Sequence, residues 1–94
     1  MKLLSVERTG KTPAFVAVFD LGDKKKTVRF GTPSNYVSNP KKTKEDRTNY
    51  IKRHRVNENW RDATSRGALS RFLLWGDSRS LAENIKAYKK RFNI

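Results

Sequence analysis

The chain has 94 residues, with 22 Lys and Arg against 9 Asp and Glu, and a formal net charge of +13. This length predicts a single basic domain over residues 1–94 and excludes two packed domains. The sequence contains no cysteine, which excludes disulfides, thiolate zinc sites and cysteine nucleophiles. The clearest property of the protein is therefore its positive charge.

Nothing in the sequence predicts a membrane segment. The longest apolar run extends only from Ala14 to Phe19, far short of the roughly 18 residues that a transmembrane helix needs. Charged residues also interrupt the N-terminal segment before an apolar stretch of secretory length develops. We expect a soluble intracellular protein without a membrane partner.

Residues 1–31 predict a three-stranded antiparallel meander. Lys2 to Arg8 alternates weakly, and the run from Ala14 to Leu21 is apolar on both faces, which predicts a central strand covered on each side. Lys25 to Phe30 places its apolar residues on one side only, as expected of an outer strand with one wet face. Glycine-containing turns separate the three segments.

Residues 32–42 predict a loop that crosses from the sheet to the helices. This segment is rich in Pro, Ser, Thr and Asn and has neither a helical nor a strand period. Tyr36 is the one aromatic residue for which exposure is a serious expectation. The alternative is that Tyr36 and Val37 pin the loop to the core.

Residues 43–94 form the helical part. Thr43 and Asp46 match a capping box at the start of a first helix that runs to about Arg55. A second helical stretch with a broad apolar face is predicted from about Ser65. Gly76 is expected to end it in the left-handed conformation.

A third helix is predicted from a second capping box, Ser80 with Glu83, followed by apolar residues at helical spacing up to Phe92. Trp60 and Trp75 lie at positions typical of a core rather than of an exposed stacking surface. The fold class predicted from this order is α+β, with three helices packed on one face of the meander.

The sequence gives little support for a catalytic function. His54 is the only imidazole, and the adjacent Glu45 and Asp46 point about 100° apart on a helix, which favours a capping role over acid–base catalysis. We interpret His54 as a half-buried helix residue, the alternative being a general acid beside phosphate. No enzymatic activity, no metal site and no cofactor are predicted.

Positive charge recurs in every part of the sequence, so the folded body itself should be basic. A domain of this charge repels itself unless an anionic partner is present, and phosphate is the commonest such partner. We expect binding to nucleic acid without sequence preference, with double-stranded DNA favoured and RNA as the alternative. About six phosphate contacts would give a salt slope of about −5 on duplex DNA. The candidate contact residues are the clustered cations Lys24, Lys25, Lys26, Lys41, Lys42, Lys44, Arg53, Arg55, Lys86, Lys89 and Lys90.

Four stretches carry a resemblance to a known group of proteins. They are Tyr50 to Trp60, Gly67 to Gly76, Tyr88 to Phe92 and Lys26 to Gly31. Together they resemble a family of short basic proteins from large DNA viruses of algae and protists, phycodnavirus-like or mimivirus-like. The resemblance implies a viral origin, a location in the host nucleus or cytoplasm and packaging in the virion. It brings no activity and no ligand residues with it.

Two classes of function compete at this point. The first is neutralisation of packaged viral DNA through its phosphates. The alternative is a minor structural protein that cements capsid or core layers by binding acidic surfaces of other virion proteins. A host-directed protein acting on chromatin or RNA would use the same charge. Convergence of the basic clusters on one side of the fold would favour nucleic acid.

Overall fold

The computed structural model describes the whole chain, from Met1 to Ile94. Strands β1 (Lys2–Arg8), β2 (Phe15–Asp20) and β3 (Lys25–Phe30) form an antiparallel sheet in the order β1-β2-β3. Helices α1 (Lys44–His54), α2 (Arg66–Leu69) and α3 (Leu81–Phe92) follow, and a π-helical turn, Ser70–Leu74, continues α2. The predicted α+β fold, with a meander followed by three helices, is confirmed. No helix has both the length and the apolar character required to cross a membrane.

The sheet buries one face against the helices. Phe15, Ala17 and Phe19 of β2 are fully buried, whereas Val16 and Val18 on the opposite face are only half-buried. The prediction that β2 is covered on both faces is therefore wrong. β-branched residues suit any pleated surface, so apolar residues on both faces of a strand do not by themselves require a second covering layer.

Side-chain caps begin the three helices. Thr43 and Asp46 form the predicted reciprocal capping box of α1, and the hydroxyl of Ser65 accepts a hydrogen bond at the start of α2. At α3 the Ser80 hydroxyl accepts from the Glu83 amide. The Glu83 carboxylate, however, accepts from the Ser78 hydroxyl at 2.8 Å, so the second capping box is only half formed.

The physical reason for a glycine at position 76, shortly after the π-helical turn, differs from the predicted one. Its backbone is not left-handed, because the glycines with positive φ are Gly10, Gly22 and Gly31. A Cβ at Gly76 would overlap the carbonyl oxygen of Phe72 and come within 2.8 Å of the Asn84 amide. The absence of a side chain, rather than conformational freedom, is what this position requires.

The loop between the sheet and α1 is held against the helical part. Tyr36 is 5% exposed, and the guanidinium of Arg79 lies 4.1 Å from the centre of its ring. Arg79 also donates hydrogen bonds to the carbonyls of Tyr36, at 3.0 Å, and of Lys42. The prediction that Tyr36 is exposed is therefore wrong, and the alternative, that Tyr36 pins the loop to the core, is confirmed. The loop in turn fixes the position of Lys42.

Candidate nucleic-acid interface

A cleft of about 480 Å³ opens where the end of β3, the following loop, α1 and α2 meet. We call this depression the cleft. Its walls come from segments that are far apart in the chain, so it exists only in the folded protein. The residues that line it are Pro13, Arg29, Phe30, Gly31, Thr32, Ser34, Lys42, Tyr50, Arg53, His54, Glu58, Arg66, Gly67, Ser70 and Trp75.

Four cations surround the cleft: Arg29, Lys42, Arg53 and Arg66. None of them pairs with a carboxylate, because the ion pairs of the structure are Arg47 with Asp77 and His54 with Glu58. The only carboxylate in the lining is that of Glu58, and it is already engaged. The cleft therefore has a positive potential that suits an anionic ligand.

A second depression adjoins the cleft at the free edge of the sheet. This side groove is lined by Lys26, Thr27, Val28, Arg29, Thr64 and Arg66, and it shares Arg29 and Arg66 with the cleft. The ammonium of Lys26 donates to the Thr64 hydroxyl at 3.1 Å, which holds the lysine along the groove. The cleft and the side groove together form one track with five cations.

Two carboxylates outside the lining lie close to its cations. Asp62 accepts hydrogen bonds from the amide and the hydroxyl of Thr64, which lower the pKa of its carboxyl, and the charge of Lys26 lowers it further. Asp46 of α1 is the second. The amide of Thr43 donates a hydrogen bond to Asp46 and lowers the pKa of that carboxyl, and the charges of Lys42 and Arg53 lower it further. Asp46 is thus held by its capping role. Lys42 and Arg53 remain available to a ligand.

Aromatic rings form one wall of the cleft. The rings of His54 and Tyr50 are 4.0 Å apart at 21°, and those of Tyr50 and Trp75 are 4.3 Å apart at 5°. Two nearly parallel rings this close to Tyr50 must cover its opposite faces, so Tyr50 is the middle ring of a stack. His54 is the outer ring, with 42% of its side chain exposed.

His54 is fixed in place by a carboxylate. Its Nδ1 lies 2.9 Å from Oε1 of Glu58, four residues further along the chain and beyond the end of α1. Gly67 makes room for this arrangement, since a Cβ there would come within 2.9 Å of the Glu58 carboxylate. His54 lines the cleft, and apart from the Glu58 contact at Nδ1 and the stack on Tyr50 its ring has no hydrogen-bond or stacking partner.

We expect the stack to be lost in alkali. Burial, and then the charge of Glu58, raises the pKa of Tyr50 to about 12. Because the folded pKa exceeds the unfolded value near 10, this contribution to stability is complete below pH 10 and disappears as the pH rises towards 12. The loss in free energy of unfolding over that range, measured in urea, should be about 2 kcal/mol larger in the wild-type protein than in Tyr50→Phe, because Tyr88, whose pKa burial also raises, titrates in both proteins. Parallel losses in the two proteins would contradict this role of the phenol.

Three of the cations predicted from the sequence as contact residues line the cleft or the side groove. Lys42 and Arg53 line the cleft, and Lys26 lines the side groove. Lys24 and Lys25 precede Lys26 at the start of β3, Lys41 and Lys44 flank Lys42 in the chain, and Arg55 directly follows α1.

The lysines of α3 are not brought to the cleft. Lys89 lines a small depression with residues 3–6 of β1, the strand at the opposite edge of the sheet from β3. Lys86 and Lys90 lie on the same exposed side of α3. Of the predicted contact residues, Lys26, Lys42 and Arg53 therefore line the cleft or the side groove, whereas Lys89 lies at a separate depression between β1 and α3.

Several residues that line the cleft are not among the contact residues predicted from the sequence. Arg29 stands alone in an alternating strand, Arg66 opens a helix with an apolar face, and Tyr50 and Trp75 read as core residues. Five other arginines serve the fold instead. They lie over aromatic rings or donate to backbone carbonyls, and they are Arg8, Arg47, Arg71, Arg79 and Arg91.

Comparison of the chain with protein-family models, with curated proteins and with solved structures finds no match. The resemblance of the four sequence stretches to viral proteins therefore stays a prediction. Function is inferred from the cleft and the side groove themselves.

Proposed function

We propose that this protein binds nucleic acid through the phosphate backbone, without catalysis and with little sequence preference. The observation that carries the proposal is the track of five cations, Lys26, Arg29, Arg66, Arg53 and Lys42, in two adjoining depressions. Its only carboxylate is held by His54. In a large DNA virus this binding would neutralise packaged genome.

The position of these cations suits a phosphate backbone. Lys26 and Arg29 are three residues apart on the edge strand β3, so their side chains leave opposite faces of the sheet on either side of its free edge. Arg29 and Arg66 line both depressions, and Arg53 and Lys42 line the cleft. A backbone that passes through the two depressions can therefore meet several cations.

Fluorescence anisotropy tests this proposal directly. Labelled DNA and RNA are titrated with the protein between about 50 and 300 mM salt, where phosphate-driven affinity changes most. Five contacts predict a log–log slope of about −4.5 on duplex DNA and about −3.5 on single strands. Polyglutamate of equal charge is the control, and it should bind far more weakly because it lacks phosphates. Weak, salt-insensitive binding to DNA and RNA would overturn the proposal.

A second candidate function is supported by the other basic surface. Beside Lys89, the edge strand β1 exposes Leu4, 47% of whose surface is accessible, next to the half-buried Ile85. An apolar centre with a basic rim suits an acidic protein surface better than a phosphate chain. Tight binding of polyglutamate that depends on Lys86, Lys89 and Lys90 would favour this structural role, with another virion protein as the partner.

A further inference from the structure

We propose that the cleft holds one unpaired nucleotide, with its base on the open face of His54 and its phosphate among Arg29, Arg53 and Arg66. This inference rests on the proposed function and names its substrate class: single-stranded rather than double-stranded nucleic acid. It replaces the sequence-based preference for duplex DNA. The observation behind it is an aromatic stack whose outer, half-exposed ring lines a cationic cleft.

The exposed ring of His54 is the feature that cations alone do not explain. Tyr50 covers one face of the imidazole, yet 42% of the His54 side chain remains exposed. The imidazole lines the cleft and its second face has no ring partner, so a planar group placed on that face would extend the stack of Trp75, Tyr50 and His54. Every nucleobase has a flat π-face, so such stacking tolerates any sequence.

The platform is rigid before a ligand arrives. Glu58 holds Nδ1 of His54 at 2.9 Å, and the missing side chain of Gly67 lets the Glu58 carboxylate lie close to α2. Tyr50 is itself buried against Trp75 at 4.3 Å. A ring fixed on one face and at one edge loses little freedom when a base stacks on it, which favours affinity.

The size of the cleft also favours a single nucleotide. About 480 Å³ is within the range of small-molecule sites, roughly 300 to 1,000 Å³. The bases of a duplex are stacked on each other and cannot reach a ring at the wall of such a cleft without being unstacked, which costs a few kcal/mol. An unpaired strand does not have this cost.

The experiment compares ligands that have the same backbone. The wild-type protein is titrated with a thymidine dodecamer, with a dodecamer of abasic sites and with a twelve-base-pair duplex, at one salt concentration. We expect the thymidine strand to bind about 10-fold more tightly than the abasic strand, since one stacked base contributes about 1 to 3 kcal/mol. It should also bind more tightly than the duplex, although phosphate attraction alone favours the duplex.

Two variants at one position assign the effect to the ring. His54→Ala removes the stacking surface and should bring the ratio of thymidine to abasic affinity close to one. His54→Phe keeps a flat ring and should restore most of that ratio, although it loses the contact with Glu58. The ratio is the readout because freeing the Glu58 carboxylate affects both strands alike. Circular dichroism checks that each variant is folded.

The outcomes separate this inference from the proposed function. If thymidine and abasic strands bind wild-type protein equally with a steep salt slope, the proposed function stands and the inference is wrong. If none of the three ligands binds, the proposed function itself fails. Thymidine monophosphate serves as a competitor, and we expect it to be weak because it meets only the cleft. Full displacement of the labelled thymidine strand by micromolar thymidine monophosphate would instead identify a free mononucleotide as the ligand.

Discussion

Replacing Arg29, Arg53 and Arg66 together with alanine should lower the affinity for nucleic acid about 100-fold at moderate salt. Each exposed contact between an arginine and a phosphate is taken to contribute about 1 kcal/mol, and three such losses combine to about two orders of magnitude. The log–log salt slope should also become shallower by about 2 to 3 units, because three fewer counterions are released. Anisotropy titrations at several salt concentrations measure both quantities.

A matched control has the same change in net charge. Lys86, Lys89 and Lys90 are exposed on α3, away from the cleft, and their joint replacement with alanine also removes three charges. Screening limits the reach of a charge to about 8 to 10 Å at physiological salt, so this variant should lose less than about 3-fold. Equal losses in the two triple variants would show that net charge, and not the cleft, determines affinity.

Gly76→Ala should destabilise the fold by about 3 to 4 kcal/mol. The added methyl group has no free space, because the Phe72 carbonyl and the Asn84 amide already occupy that position. Asn84 cannot move away easily, since its amide donates to the carbonyls of Leu73 at 3.0 Å and Ser78 at 2.7 Å. Overpacking combined with a disturbed buried hydrogen-bond network belongs to the most costly class of single substitutions.

Urea unfolding monitored by circular dichroism gives the free energy of unfolding for this variant. Gly10→Ala is the control, because a Cβ there meets nothing within 4 Å and only the positive φ of 77° is strained. That strain should cost about 1 kcal/mol. If Gly76→Ala lowers the free energy of unfolding no more than Gly10→Ala does, the region around Asn84 adapts to the added methyl group, contrary to the packing described above.

Features that depend on neighbouring residues were predictable from the sequence. The three strands follow from short alternating runs between turns, and the start of α1 follows from Thr43 and Asp46, which are three residues apart and form the expected box. Both signals are local. The half-formed box at Ser80 fails because Glu83 finds a closer donor in Ser78, a choice that the spacing alone does not reveal.

The cleft could not be predicted, because it depends on contacts between distant segments. Arg29 and Arg66 are 37 positions apart in the chain, yet they line the same two depressions. Isolated arginines carry no local pattern that distinguishes them from Arg71 or Arg79, which the fold uses for its own packing. Clustering in the sequence instead favoured the lysines of α3, which lie on another surface.

The central claim is that nucleic acid binds in the cleft and the side groove along β3. An NMR titration of ¹⁵N-labelled protein with a thymidine dodecamer tests it most directly, because every backbone amide reports its own surroundings. The account predicts that the largest shift changes fall in residues 26–32, 53–58 and 64–70, with little change in residues 86–90. Changes centred on α3, or no changes at saturating strand, would contradict it.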